Sequence, residues 1–205
     1  MATGGRKEAA AGLVGTALVV LFLLPPGYFV AGTFVVTSIM AAAAYWVGGR
    51  VRVPSLSAWQ VVLGLVSAAL LYAVFYAGNA AIRQLQLPGL GIPDAGSIYS
   101  LISSPANPIV VQLALLTFDA VGYESFFRGV LQKGLQGRMG PFAALAIALF
   151  DAGLHLATLN PLWVATTFVA DLAWGLTYYY GKGLPASLTS HLVWDVAIFV
   201  IRPIT

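Results

Sequence analysis

Apolar stretches close to twenty residues long recur along most of this chain, and they do not alternate in polarity. A helix needs about 20 consecutive apolar residues to cross a bilayer, whereas strands of a membrane barrel alternate apolar and polar positions. The pattern predicts an all-α, polytopic transmembrane helical bundle. Charged residues make up only 8% of the sequence, against about 25% in a soluble domain. A net charge of +3 without a basic, aromatic-interleaved stripe argues against nucleic acid as a partner. There is no cysteine, which excludes disulfides, thiolate nucleophiles and Cys-ligated metals.

Seven spans are expected, at about 9–24, 29–47, 57–77, 108–136, 141–157, 161–180 and 185–201. The first two are separated by Pro25-Pro26-Gly27 and could form one kinked helix, since prolines do not always end a membrane span. The third can extend as an amphipathic turn toward Leu87, and a long irregular loop covers 88–107. Pro108, Pro141, Pro161 and Pro185 each stand near a helix start, where a missing N–H costs nothing. The whole chain, 1–205, reads as one membrane domain, with scaffold spans and a loop over 1–106 and a four-helix core over 107–205. With the N-terminus in the cytoplasm, Arg6, Lys7, Arg50, Arg52, Lys133, Arg138 and Lys182 all fall inside, leaving only Arg83 and Arg202 outside.

Five of the seven carboxylates and both histidines lie within the last four spans. A charge at the bilayer centre costs about 2.5–3.5 kcal/mol. Five scattered carboxylates would therefore cost roughly 10 kcal/mol, comparable with a domain's whole stability. They are expected to share a protein-lined, hydrated cavity. Glu124 and Arg128 stand four residues apart, on one helical face, and can pair. Asp151 and His155, and again His191 and Asp195, repeat that spacing on two other spans. A carboxylate one turn from an imidazole fixes its tautomer and raises its basicity. Asp119 lies on the face of Tyr123, and Asp171 is alone in the sixth span. Trp174 and Tyr178 to Tyr180 read as an interfacial belt. The small residues Ala143, Ala144, Ala148 and Ala152 read as close helix packing.

The order Glu124-x-x-x-Arg128-Gly129, His155, then His191-x-x-x-Asp195 resembles the CAAX protease and bacteriocin-processing family (CPBP, or Abi) of intramembrane endopeptidases, over about 110–201. The resemblance implies Glu124, Arg128, His155, His191 and Asp195 as site residues. It further implies hydrolysis of a membrane-anchored or prenylated peptide by an activated water, in a prokaryotic plasma membrane, with no resident cofactor. In that family's first motif a glutamate precedes the one matched by Glu124. Here the position holds Tyr123, and a phenol is no general base at neutral pH. The family usually has phenylalanine four residues before the second-motif histidine, and here that residue is Asp151. One carboxylate is lost and another appears, which suggests a relocated acid: Asp151, or Glu124 itself, working with His155. Two other readings stay open. Glu124, Asp151, His155, His191 and Asp195 supply enough donors for a metal-dependent membrane hydrolase. A catalytically degenerate immunity or scaffold protein is the other. Membrane lipid is a partner in every case, and no oligomeric state is implied.

Overall fold

A computed structural model describes residues 2–49, 56–86, 96, 98 and 108–204. Most of the expected 88–107 loop, and the segment holding Arg50, Arg52 and Pro54, lie outside the described residues. The described chain forms seven helices: α1 Ala2–Leu23, α2 Phe29–Gly48, α3 Ala58–Gln84, α4 Ile109–Met139, α5 Phe142–His155, α6 Pro161–Tyr180 and α7 Leu184–Ile201. Four runs, Pro26–Gly48, Ala58–Gln84, Ile109–Met139 and Leu184–Ile201, are long and apolar enough to cross a membrane, and Phe142–Thr158 is a shorter apolar helix. The outward faces are apolar, with Leu13, Trp59, Leu70, Phe118 and Leu149 all exposed. In water such a surface would drive aggregation; facing lipid tails it costs nothing. The chain is an integral membrane protein.

Local chemistry explains the breaks. The Pro25-Pro26 pair ends α1, and a short 3₁₀ turn, Pro26–Tyr28, reverses the chain, so α1 and α2 pack side by side and are not one kinked helix. Ser57 and Gln60 form a reciprocal capping box at the start of α3, and the Gln60 amide donates to the Gly181 carbonyl, tying that end to the α6–α7 turn. Gly140, at φ 56°, ends α4 in the left-handed conformation that favours glycine. Asn160 caps α6 by accepting from the Leu162 and Trp163 amides, ahead of Pro161.

Two apolar clusters hold the helices. One joins α1, α2, α4 and α5 through Leu18, Val36, Met40, Phe126, Phe127 and Ile147. The other joins α3, α6 and α7 through Leu71, Ala170, Trp174, Trp194 and Ile198. Between apolar helices in lipid, close packing of small residues takes over from the hydrophobic effect. Ala143, Ala144, Ala148 and Ala152 are all buried on α5, as their spacing predicts. At Gly122 the backbone of α2 comes so close that an added Cβ would lie 2.7 Å from the Thr37 carbonyl oxygen. Neither backbone can give way easily, so Gly122→Ala is expected to destabilise by about 1–3 kcal/mol, as overpacking does. Unfolding of the detergent-solubilised protein measures this, and an unchanged midpoint would remove the close α2–α4 contact from the account.

One irregularity positions the site. From Glu124 to Gln132, α4 widens to i→i−5 hydrogen bonding, with the Lys133 amide bonded to the Arg128 carbonyl. Helix segments of this kind recur at functional sites. A wider turn takes more residues, so positions four apart no longer stack directly one above the other. Glu124, Phe126, Phe127, Arg128, Val130 and Gln132 are consequently all buried within one segment.

Candidate active site

α4 carries Asp119, Tyr123, Glu124 and Arg128; α5 carries Asp151 and His155; α6 carries Asp171 and Trp174; α7 carries His191 and Asp195. Arg128 is 0% exposed, and its guanidinium forks onto Asp171. Nη1 donates to Oδ2 at 3.3 Å, while Nη2 donates to Oδ1 and, at 3.1 Å, to the Asp171 carbonyl. Its Nε lies 3.7 Å from Glu124 Oε2, an electrostatic contact beyond hydrogen-bond range. Arg128 therefore bonds across to α6 in preference to its own helix.

Glu124, beside that guanidinium, also accepts from His191 Nδ1 at 3.1 Å. The other ring nitrogen, Nε2, is 3.5 Å from Asp195 Oδ2. Trp174 stacks flat on the imidazole, with ring centroids 3.5 Å apart and planes 13° from parallel. Trp174 is buried, not part of an interfacial belt, and Tyr178 one turn on is buried with it; only Tyr180 of that run is strongly exposed.

On α5, His155 Nδ1 sits 3.0 Å from the Asp151 carbonyl oxygen and 3.6 Å from its Oδ1. A carbonyl only accepts, so Nδ1 carries the hydrogen and Nε2 of the neutral ring presents a lone pair. Phe22 of α1 and Trp163 of α6 flank the ring. The Asp151 carboxylate turns the other way and accepts from the Tyr123 hydroxyl. The two residues that depart from the family pattern are therefore each other's partners.

A cavity of about 390 Å³ collects these groups. Asp119, Tyr123, His155, Trp174, His191 and Asp195 line it, together with apolar side chains of α1, α2 and α3 such as Leu18, Phe22, Val36, Met40 and Phe75. Glu124, Arg128 and Asp151 are not in the lining; they stand behind it and hold the groups that are. The five donors Glu124, Asp151, His155, His191 and Asp195 do not form one coordination sphere, because Glu124 is bonded to His191 Nδ1 and Asp151 to Tyr123. Among the described residues, the donors close enough to share a cation are Asp119, His191 and Asp195, within 4.8 Å of one another. The site thus adds Tyr123 and Trp174 to the residues expected from sequence; of the two remaining carboxylates expected there, Asp119 is in the chamber wall and Asp171 stands behind it on Arg128.

Fold and site together define a polytopic membrane protein whose last four helices enclose histidines and carboxylates around one chamber. Residues 105–197 match the family described as type II CAAX prenyl endopeptidase Rce1-like. That match covers most of the C-terminal half of the chain, the part that holds the chamber, and supports kinship with the CPBP family. No curated protein and no solved structure matches the chain.

Proposed function

We propose that this protein is an intramembrane endopeptidase that hydrolyses a peptide bond in a membrane-anchored, prenylated substrate. The observation that carries the reading is a single chamber on which His155 and Tyr123 of one pair and His191 and Asp195 of another converge, inside otherwise apolar walls. A peptide carbonyl entering that chamber meets a general base and a donor-bearing wall together.

The chemistry divides between the two pairs. Water enters the chamber and gives a proton to His155 Nε2, whose lone pair is exposed by the Nδ1–Asp151 contact. The Tyr123 phenolic oxygen, oriented by its hydrogen bond to Asp151, accepts from the same water and holds it. The resulting hydroxide adds to the peptide carbonyl carbon. The oxyanion forms toward the Nε2–H of His191, which acts as an imidazolium between Glu124 and Asp195 with Trp174 stacked on its face. The His155 proton then passes to the departing amine, leaving a carboxylic acid and a free amino group. Asp151 acts through its neighbours; it is a positioning group, not the proton acceptor. The apolar side chains of α1 and α2 suit an isoprenoid chain. The Lys and Arg distribution supports an N-terminus, and with it the 136–140 loop at the end of α4, on the cytoplasmic side of the membrane.

The test is cleavage of a prenylated peptide by the protein reconstituted in liposomes. Wild type is expected to release the C-terminal fragment, and Glu124→Ala to lower the rate by about 10²-fold, the scale of losing an orienting group in a proton-transfer site. A wild-type preparation that is folded yet cleaves no prenylated peptide, or a Glu124→Ala variant equal to it, would defeat the reading.

A further inference from the structure

Asp119 takes no part in the steps above, yet it stands in the chamber wall, one turn before Tyr123 on α4. One oxygen of its carboxyl lies within 4.8 Å of a ring nitrogen of His191 and of a carboxylate oxygen of Asp195. The residue is half-buried, and among the described residues no hydrogen bond holds it. A chamber-facing carboxyl that no protein group satisfies is free to meet the reacting groups.

Charge decides the form in which it meets them. The His191 imidazolium lies between Glu124, 3.1 Å from Nδ1, and Asp195, 3.5 Å from Nε2. The other cation nearby is Arg128, which is bonded to Asp171 and faces Glu124 at 3.7 Å. Glu124, Asp171 and Asp195 together already outweigh Arg128 and His191 by one negative charge. Across the chamber, Asp151 accepts from Tyr123 and His155 is neutral, so neither adds a positive charge. An ionised Asp119 would set a further negative charge beside Asp195 with no cation left to answer it. Carboxyl groups so placed in an apolar site do not both ionise; one keeps a proton. Asp195 has the imidazolium against it, so the proton falls to Asp119.

We propose that Asp119 is a catalytic residue in its neutral form, and that its O–H is a second donor, beside His191 Nε2–H, to the oxyanion of peptide hydrolysis. The assignment rests on the peptidase reading. In the empty chamber Asp195 Oδ2, which accepts no hydrogen bond from another group, is the acceptor within reach of that O–H. A peptide carbonyl oxygen takes the hydrogen bond over as it gains charge, and no proton changes hands. A carboxylic acid held neutral by apolar surroundings is an effective oxyanion donor. The placement on α4 suits this. Asp119 and Tyr123 are four residues apart on the regular helix Ile109–Tyr123, about one 5.4 Å turn. One face of that helix therefore offers the water, at Tyr123, and the oxyanion donor, at Asp119, to two sides of the same carbonyl carbon.

The experiment uses the full chain in lipid nanodiscs and has two readouts. Single-turnover cleavage of a prenylated peptide reads the donor. Asp119→Leu, near in volume and unable to donate, is expected to slow cleavage by about 10²–10³-fold, the scale of losing one oxyanion donor. Asp119→Asn keeps a donor and should slow it by less than about tenfold. Infrared difference spectra of wild type against Asp119→Asn, with deuterium exchange, read the proton. At neutral pH wild type is expected to show a neutral-carboxyl band that the variant lacks. Thermal unfolding controls for folding, and Asp119→Ala replaces Asp119→Leu if the latter does not fold. An Asp119→Asn variant as slow as Asp119→Leu makes the ionised carboxylate the working form and overturns the proposal. An Asp119→Leu variant as fast as wild type, or a carboxyl band unchanged in Asp119→Asn, overturns it equally. Cleavage by wild type with that band unchanged keeps the peptidase and removes the neutral Asp119. A band lost in Asp119→Asn, with no cleavage by wild type, keeps the neutral carboxyl and removes the peptidase, and with it the oxyanion as its acceptor.

Discussion

His155→Gln is expected to slow hydrolysis of a prenylated peptide by about 10²–10⁴-fold, the contribution of a positioned general base, with little change in stability. The effect is large because His155 supplies the lone pair that faces the chamber from the Tyr123–Asp151 side. Its Nδ1 is committed to the Asp151 carbonyl, so no tautomer exchange substitutes for the loss. Glutamine keeps a polar group of similar reach between Phe22 and Trp163, which limits damage to packing. Single-turnover rates with a folding control measure it. A variant within a factor of two of wild type would remove His155 from the mechanism and leave the base to be sought elsewhere in the chamber. The partners behind His155 make the same argument in a second form. Tyr123 and Asp151 share one hydrogen bond, so Tyr123→Phe and Asp151→Asn should each reduce the rate and together reduce it by less than the product. Exchanging both toward the family pattern, Tyr123→Glu with Asp151→Phe, returns a carboxylate to α4. It should recover activity that either change alone loses.

Much of this arrangement was legible in sequence, and what was not has a definite cause. Helix starts at Pro108, Pro141, Pro161 and Pro185 are local chemistry, so hydropathy and proline placement located all of the last four helices. Four-residue spacing on regular α-helix put Asp151 near His155 and Asp195 near His191, but the Nδ1 hydrogen bonds of the two rings go to the Asp151 carbonyl and to Glu124. The same arithmetic brought Glu124 and Arg128 within 3.7 Å of each other but did not show that the hydrogen bonds of Arg128 go to Asp171. It assumes a regular turn, and this segment winds with i→i−5 bonding. No residue type in Glu124–Gln132 announces that change. Asp171 as the main partner of Arg128 was equally out of reach, since 43 positions separate them and no periodicity links one helix to another. Trp174 was within reach. Asp171, Trp174, Gly175 and Tyr178 follow the i, i+3, i+4, i+7 rule and are all buried, so they mark the inward face of α6. Reading the aromatics as a cluster hid that stripe, and with it the stack on His191.

Arg128→Met is expected to destabilise the protein by about 3–5 kcal/mol, the cost of removing one partner from a buried ion pair. The guanidinium is wholly buried and makes three hydrogen bonds to Asp171, two to the carboxylate and one to the carbonyl. Methionine is a fair replacement in volume, so the loss is chiefly electrostatic: Asp171 keeps its charge with no partner, and Glu124 loses the nearest cation as well. Adding Asp171→Leu to Arg128→Met removes the stranded carboxylate and should recover a large part of the loss, because an apolar pair avoids the desolvation that the ions incur. Denaturant unfolding in a fixed detergent gives both numbers. A near-zero cost for Arg128→Met would mean that Asp171 is held protonated and neutral. The double variant also separates stability from chemistry. Arg128 does not line the chamber; it stands behind Glu124, which positions His191. Restored folding with a persistently low rate would therefore show that the cation serves the oxyanion wall through Glu124. Restored folding with a restored rate would confine Arg128 to joining α4 and α6.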